Sequence, residues 1–194
     1  MSREIEVKHR LDDATGLRQR LVAAGAVRDA LAQEVNHILD TPERRLLNAG
    51  CGLRIRSARP VTPPGPAQVT LTFKGPRDAA LARRGIKARE ELETAAADEA
   101  TLLAVFARLG FAPVIMYEKR RETWHWPDCV ATIDELPLLG WFVELEADDQ
   151  AALLARRAQL GLTDASAVDE TYVRLADRHG TLNPAGVREL RFSA

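Results

Sequence analysis

The chain has 194 residues, enough for one domain with a sizeable core, and its 46% hydrophobic and 28% charged residues are an ordinary globular balance. Lysine plus arginine total 27 against 28 acids, and the resulting formal net charge of −1 argues against a general nucleic-acid binder. Cys51 and Cys129, with no CxxC or Cys/His spacing, argue against a disulfide framework or a zinc site and read as two reduced thiols. The opening MSREIEVKHR has no apolar h-region, and no window approaches the roughly 18 apolar residues of a membrane span. A cytoplasmic protein is therefore expected.

In chain order, a unit of strand, turn and amphipathic helix occurs three times. Its first copy is Glu4-Ile5-Glu6, an Asp12-Asp13 start, Leu17, Leu21 and Val22 at helical spacing, and Gly25. Alternating Glu-aliphatic-Glu is strand periodicity, Asp caps the orphan amides of a first helical turn, and Gly permits the left-handed stop. Strands follow at 33–40 and 53–58, then PVTPPGP at 60–66, which reads as an exposed connection because proline cannot donate to a ladder. Residues 67–74 are a strand, 77–85 a turn or loop, and 86–94 a strand that opens the second copy: Glu91-Leu92-Glu93, Asp98, then Leu102, Leu103, Phe106 and Leu109, and Gly110. Strands at 114–126, 129–134 and 141–147 lead into the third copy, Glu144-Leu145-Glu146, Asp148, then Leu153, Leu154 and Leu160, and Gly161. Beyond Asp177 the chain reads as a helix end plus loose chain, so residues 1–178 form the expected domain and 179–194 a C-terminal tail.

About eight strands with three helices outside them predict an α+β fold, an eight-stranded antiparallel β-barrel or strongly curved sheet. Its strands carry aliphatic residues on one face and charges on the other: Ile5 and Val7 against Glu4, Glu6 and Lys8, and Leu53 and Ile55 against Arg54 and Arg56. A single such strand is ordinarily solvated on its charged side. The same inversion on most of the strands instead points to a lumen lined by both signs: Glu4, Glu6, Glu91, Glu93, Glu144 and Glu146 with Lys8, Arg54, Arg56, Lys74, Arg89, Lys119 and Arg121. Burying that many ions is costly unless they pair or coordinate something. An oligophosphate with a divalent metal satisfies both signs, since Arg and Lys hold phosphate oxygens and Mg²⁺ takes carboxylates, waters and phosphate oxygens.

These residues resemble the CYTH domain, the family of class IV adenylate cyclases, thiamine triphosphatases and inorganic triphosphatases also called triphosphate tunnel metalloenzymes. The ExExK hallmark stands as Glu4-Ile5-Glu6-Val7-Lys8. It is followed in the family's order by NHILDTP (36–42), LRIR (53–56), LTFKGP (71–76), REELE (89–93), Lys119-Arg120-Arg121 and DELPLLGWFVELE (134–146). The resemblance spans residue 3 to about Leu175. It implies an eight-stranded triphosphate tunnel in which Lys8, Arg54, Arg56, Lys74, Lys119 and Arg121 grip phosphates. Glu4, Glu6, Glu144 and Glu146, with Asp134 in support, hold Mg²⁺ or Mn²⁺. Lys8, Lys74, Glu91 and Glu93 are the implied catalytic residues, the two glutamates orienting water. Family members that hydrolyse thiamine triphosphate often carry a tyrosine in the strand ending Asp-Thr, and Asn36-His37-Ile38-Leu39-Asp40 has none. His37 reads as structural or exposed, and Trp124, Trp126 and Trp141 as residues opposite the charges.

The expected activity is metal-dependent hydrolysis of a triphosphate, with inorganic triphosphate preferred over thiamine triphosphate or ATP because no organic pocket is legible. Metal-activated water would attack the terminal phosphorus. The alternatives are a class IV adenylate cyclase releasing cyclic AMP and diphosphate, and a non-catalytic polyphosphate or nucleotide binder. A small-molecule triphosphate, no nucleic acid, no membrane and a homodimer are the expected partners.

Overall fold

The structure is a computed structural model that describes residues 5–76 and 90–193. Eight strands run β1 (Ile5–Leu11), β2 (Val27–Asp40), β3 (Gly52–Thr62), β4 (Gln68–Lys74), β5 (Glu91–Ala96), β6 (Ala112–His125), β7 (Val130–Leu136) and β8 (Gly140–Ala147). They lie side by side in the order β1-β8-β7-β6-β2-β3-β4-β5, each pair antiparallel. Two short strands, β9 (Thr181–Leu182) and β10 (Arg188–Leu190), bring the sheet to ten.

The expected closed eight-stranded barrel is thereby corrected. Among the described residues β1 and β5 are the two ends of the sheet, with no ladder joining them. All of β5 but Ala96 is exposed. Residues 77–89, the turn or loop and the first part of the strand expected at 86–94, lie outside the described residues, as do Glu4 and Arg89.

The C-terminal chain is not loose. On the side of β6 away from β2, β7 pairs only with Arg120–His125, which leaves the backbone of the preceding residues without a ladder. The tail supplies it: Arg188–Leu190 lies parallel to Ile115–Tyr117, and β9 folds back onto β10. Buried amides demand such partners. Pro60 is also inside a strand, opposite Ala32 of β2. Because β4 pairs with β3 only as far as Ala58, Pro60 sits where β3 has a neighbour on one side alone, which is where a missing donor is tolerated.

The described residues also form five α-helices, α1 (Ala14–Ala23), the short α2 (Arg45–Asn48), α3 (Glu99–Arg108), α4 (Gln150–Gln159) and α5 (Tyr172–His179). The repeated unit holds in detail. Asp13 and Asp98 cap α1 and α3 by accepting from Gly16 N and Thr101 N, and Gly25, Gly110 and Gly161 end their units at φ 76, 85 and 66°. The third cap is Asp149, accepting from Ala152 N, one residue beyond the expected Asp148. Helices α1 and α4 cover the aliphatic face of β7 and β8, where Leu17, Leu21 and Leu153 pack on Ile133, Val143 and Leu145 with Trp124 and Trp126. Helix α3 covers β3 and β4 through Leu102, Leu103 and Phe106 against Leu53, Ile55 and Val69.

Helix α5 goes to the other face. Tyr172, Leu175 and Ala176 pack with Ile38, Ile115, Tyr117, Leu136 and Phe142, which lie on the same face of their strands as Glu34, Lys119, Asp134 and Glu144. One end of the charged face is thus apolar and roofed by α5. Because Leu21 is fully buried between α1 and the sheet, Leu21→Ala is expected to lower unfolding free energy by about 2–5 kcal/mol, read as the shift of a urea midpoint at unchanged slope.

Candidate functional site

The ladders place the charged residues of neighbouring strands in register. Lys8 lies opposite Glu144, Glu6 opposite Glu146, Arg121 opposite Asp134, Lys119 opposite Glu34, and Lys74 opposite Glu91. Side chains then link across strands as well as along ladders. Lys8 Nζ is 3.1 Å from Glu144 Oε1, and Glu144 Oε2 accepts from Arg121 Nη2 at 2.6 Å. Arg121 also donates to both oxygens of Asp134, at 2.7 and 2.6 Å. Asp134 Oδ2 lies 3.4 Å from Lys119 Nζ, and the same ammonium is 3.4 Å from Glu34 Oε2. Glu34 reaches Arg56 at 3.9 Å, Arg56 reaches Glu93 at 3.8 Å, and Glu93 meets Arg54 at 3.7 Å through Thr72, whose hydroxyl donates to Glu93 at 2.8 Å and accepts from Arg54 at 3.3 Å.

The result is a chain of alternating sign, Lys8–Glu144–Arg121–Asp134–Lys119–Glu34–Arg56–Glu93–Arg54, that crosses the sheet from β1 to β5. Its halves differ. Around Arg121 the contacts are short and the carboxylates saturated, with Asp134 fully buried. Around Arg56 every contact is long, and the Nε atoms of Arg54 and Arg56 are buried without a hydrogen-bond partner. Guanidinium donors left unused on a charged sheet face are suited to an arriving anion.

Glu34 joins the two halves, and sequence reasoning missed it. Its neighbours on the same face of β2 are Ala32, Asn36 and Ile38, so no repeating charge marked it. Burial alone would raise its carboxyl pKa, but Lys119, Arg121, Arg56 and Arg54 override this and lower it from 4.5 to about 2. Glu144 is likewise held well below the usual carboxylate range, burial being outweighed by Lys8, Arg121 and Lys119. Lys119 is pushed down by burial and by Arg121, against the pull of Asp134, Glu34 and Glu144. Lys8 is buried under the ring of Tyr172, its Nζ 3.8 Å from the ring centroid, so α5 packs directly onto the ion chain.

Of the residues expected at the site, Lys8, Arg54, Arg56, Glu93, Lys119, Arg121, Asp134 and Glu144 come together in this chain. Lys74 and Glu91 form their own pair at 2.7 Å near the open edge. Glu6 and Glu146 face each other across the β1–β8 ladder, and Glu4 lies outside the described residues. Among the described residues no three Asp, Glu, His or Cys side chains are grouped tightly enough to hold a metal. Asp40, the acid of the Asp-Thr-Pro segment, serves the fold: it is fully buried and accepts from the amides of Thr41, Leu46 and Leu47, tying down the turn into α2. His37 lies on the opposite face, its Nε2 3.0 Å from Glu99 of α3. Trp124 and Trp126 sit in the core beneath α1 and α4, with Trp141 packed against it. Cys51 and Cys129 are free thiols, and no helix among the described residues is long and apolar enough to cross a membrane.

An antiparallel sheet with helices on its aliphatic face and paired ions of both signs on the other frames the site. The sequence profile of the CYTH domain matches residues 2–172, and the chain belongs to that family. A Methanocaldococcus jannaschii protein described as a candidate adenylate cyclase is 28% identical over 145 residues, 74% of this chain and 75% of the relative. A candidate adenylate cyclase from Vibrio parahaemolyticus shares the fold at a TM-score of 0.76 and 20% identity, over 91% of this chain and 98% of that one. A Hippeastrum protein, a candidate adenylyl cyclase described as having a dominant triphosphatase activity, superposes at 0.67 with 17% identity, over 93% and 98%.

Glu34 gives the site a pH signature. A carboxyl titrating at 4.5 when unfolded and about 2 when folded stabilises the fold fully above pH 4.5 and loses that contribution as pH falls toward 2, on the order of 3 kcal/mol in all. Urea midpoints measured across this window are expected to fall for the natural chain and to fall less steeply for Glu34→Gln.

Proposed function

We propose that this protein is a metal-dependent triphosphatase that hydrolyses the terminal anhydride of a triphosphate, inorganic triphosphate in preference to thiamine triphosphate or ATP. The observation that carries the reading is the cation row Arg54, Arg56 and Lys119, in which both arginines keep a buried Nε without a partner. Family membership supports a triphosphate substrate, and the activity described for the Hippeastrum protein supports hydrolysis.

In this reading Arg54 and Arg56 exchange their long contacts with Glu93 and Glu34 for phosphate oxygens, and Thr72 keeps Arg54 aimed as it does so. Lys119 and Lys8 hold further oxygens from the floor of the cleft, while Lys74, with Glu91, meets the substrate near the open edge. Arg121 keeps Asp134 and Glu144 in place and adds positive charge beneath the ligand. Positive groups fixed before the substrate arrives stabilise the charge that develops on the leaving diphosphate without reorganising at the moment of reaction. Glu93, already accepting a hydrogen bond from Thr72, would orient a water beside the phosphates.

The donor set fits a divalent ion of the Mg²⁺ or Mn²⁺ type. Glu6 and Glu146 are opposed in register, both are hard oxygen donors, and such ions need only one or two carboxylates besides water and phosphate. Glu6 and Glu146 would hold it, with Glu4 of the same ExExK motif, and Glu144 and Asp134 lie nearby on β8 and β7. When bound, the ion supplies Lewis acidity that neutralises phosphate charge and activates water.

The name of the Methanocaldococcus relative favours a second reading, cyclisation of ATP on the same scaffold. Product analysis with Mg²⁺ or Mn²⁺ separates the two. Orthophosphate released fastest from inorganic triphosphate is the expected result, whereas cyclic AMP with diphosphate from ATP would replace hydrolysis by the lyase reaction. Arg56→Ala is expected to lower turnover about 100-fold, with Arg108→Ala on the exposed side of α3 as a control that retains full activity.

A further inference from the structure

Glu34 is an anomaly in a cleft read as a phosphate site. It is 3% exposed and its nearest cations are Lys119 and Arg56, groups assigned to the substrate. A carboxylate there repels the ligand that those cations attract. It makes no short ion pair of the kind that fixes Asp134 on Arg121. Its contacts are 3.4 Å to Lys119, 3.9 Å to Arg56 and 3.5 Å from Asn36 Nδ2, and the Asn36 oxygen beside it is buried without a partner. It neutralises these cations without saturating them. A negative group that sits among phosphate-binding cations, at distances an incoming oxygen would shorten, stands where a phosphoryl group's charge would stand.

We propose that Glu34 is a built-in counter-anion, holding Lys119 and Arg56 in place before a ligand arrives and setting selectivity against bare phosphates in favour of triphosphate carried with a divalent ion. Two consequences follow from charge alone. With Glu34 ionised, a metal-free polyanion docking on Lys119 and Arg56 meets a fixed negative charge, and partial neutralisation of the phosphates by a divalent ion relieves that repulsion. With Glu34 removed, the cations are left short of one negative charge in a largely dehydrated site, and an external anion becomes the replacement. The same repulsion helps orthophosphate leave after cleavage. This inference rests on the triphosphate reading of the cleft.

The test measures binding of inorganic triphosphate and of orthophosphate, each with and without Mg²⁺, to the natural chain, Glu34→Gln and Glu34→Asp, together with thermal stability in each condition. The natural chain is expected to bind the Mg²⁺ complex more tightly than bare triphosphate. Glu34→Gln should bind bare triphosphate and orthophosphate about tenfold more tightly, narrowing that difference, and Glu34→Asp should stay near the natural chain. If Glu34→Gln is too unstable to titrate, added triphosphate or orthophosphate is expected to restore its folding and to raise its melting temperature more than that of the natural chain. Unchanged or weaker anion binding by Glu34→Gln, or an unstable variant that anions do not rescue, would overturn the proposal and leave the triphosphate reading standing. A natural chain that binds triphosphate in neither form would overturn both.

Discussion

Nine charged side chains run across one face of the sheet, and those that are buried, Lys8, Glu34, Lys119 and Asp134, are tolerated only because each meets its opposite. That constraint organises this molecule. Lys119 and Asp134 are both nearly or wholly inaccessible, and several kcal/mol of desolvation oppose each such ion unless its partners are close. The antiparallel ladders supply the partners by setting carboxylates of one strand against cations of the next, and a slip of one residue would send every one of these charges into the aliphatic core. The helices answer the same constraint from the other side. By covering the aliphatic face of β7 and β8 with α1 and α4, and of β3 and β4 with α3, they leave the charged face outside their cover.

Much of this was legible in the sequence because it is written as periodicity. Glu-aliphatic-Glu at three places, Asp ahead of each helix and Gly after it gave the repeated unit, and the inverted strands gave the two faces. The caps and stops fell where local chemistry demands, apart from Asp149 taking the place of Asp148, its immediate neighbour of the same chemistry. What was not legible depends on contacts between distant segments. Three residues, Arg188-Glu189-Leu190, carry no strand signal by themselves and become β10 because β6 has unpaired backbone beside them. Closure of the sheet cannot be inferred from the count of strands, and here β1 and β5 end it separately among the described residues. Glu34 escaped for a related reason: one acid between Gln33 and Val35 has no periodicity, and its meaning comes from Lys119 and Arg56 on two other strands.

Residues that share a motif do not share a role. Asp40 and Asp134 both stand in segments that resemble the family's, yet Asp40 accepts three backbone amides of a turn while Asp134 accepts a guanidinium and an ammonium within the ion chain. Arg54, Arg56 and Arg121 likewise read alike in sequence. Arg121 has short hydrogen bonds to two carboxylates, and Arg56 has no ion pair closer than 3.8 Å. The first is committed to its neighbours and the second is poised, a difference only the geometry discloses.

The division has a consequence for how a triphosphate would enter under the proposed function. If Arg54 and Arg56 turn to phosphate oxygens, Glu93 loses both of its counter-charges and Glu34 keeps only Lys119, and among the described residues the other cations of the ion chain are already paired. A divalent ion bound to phosphate oxygens brings the positive charge that these carboxylates then lack. Substrate and metal would each raise the affinity for the other by the same factor, since a coupling of binding free energies is reciprocal. Under that function the alternating chain is more than a way of tolerating buried ions: its half-made pairs at Arg56 offset charge for folding and remain unsaturated for a ligand that carries both signs.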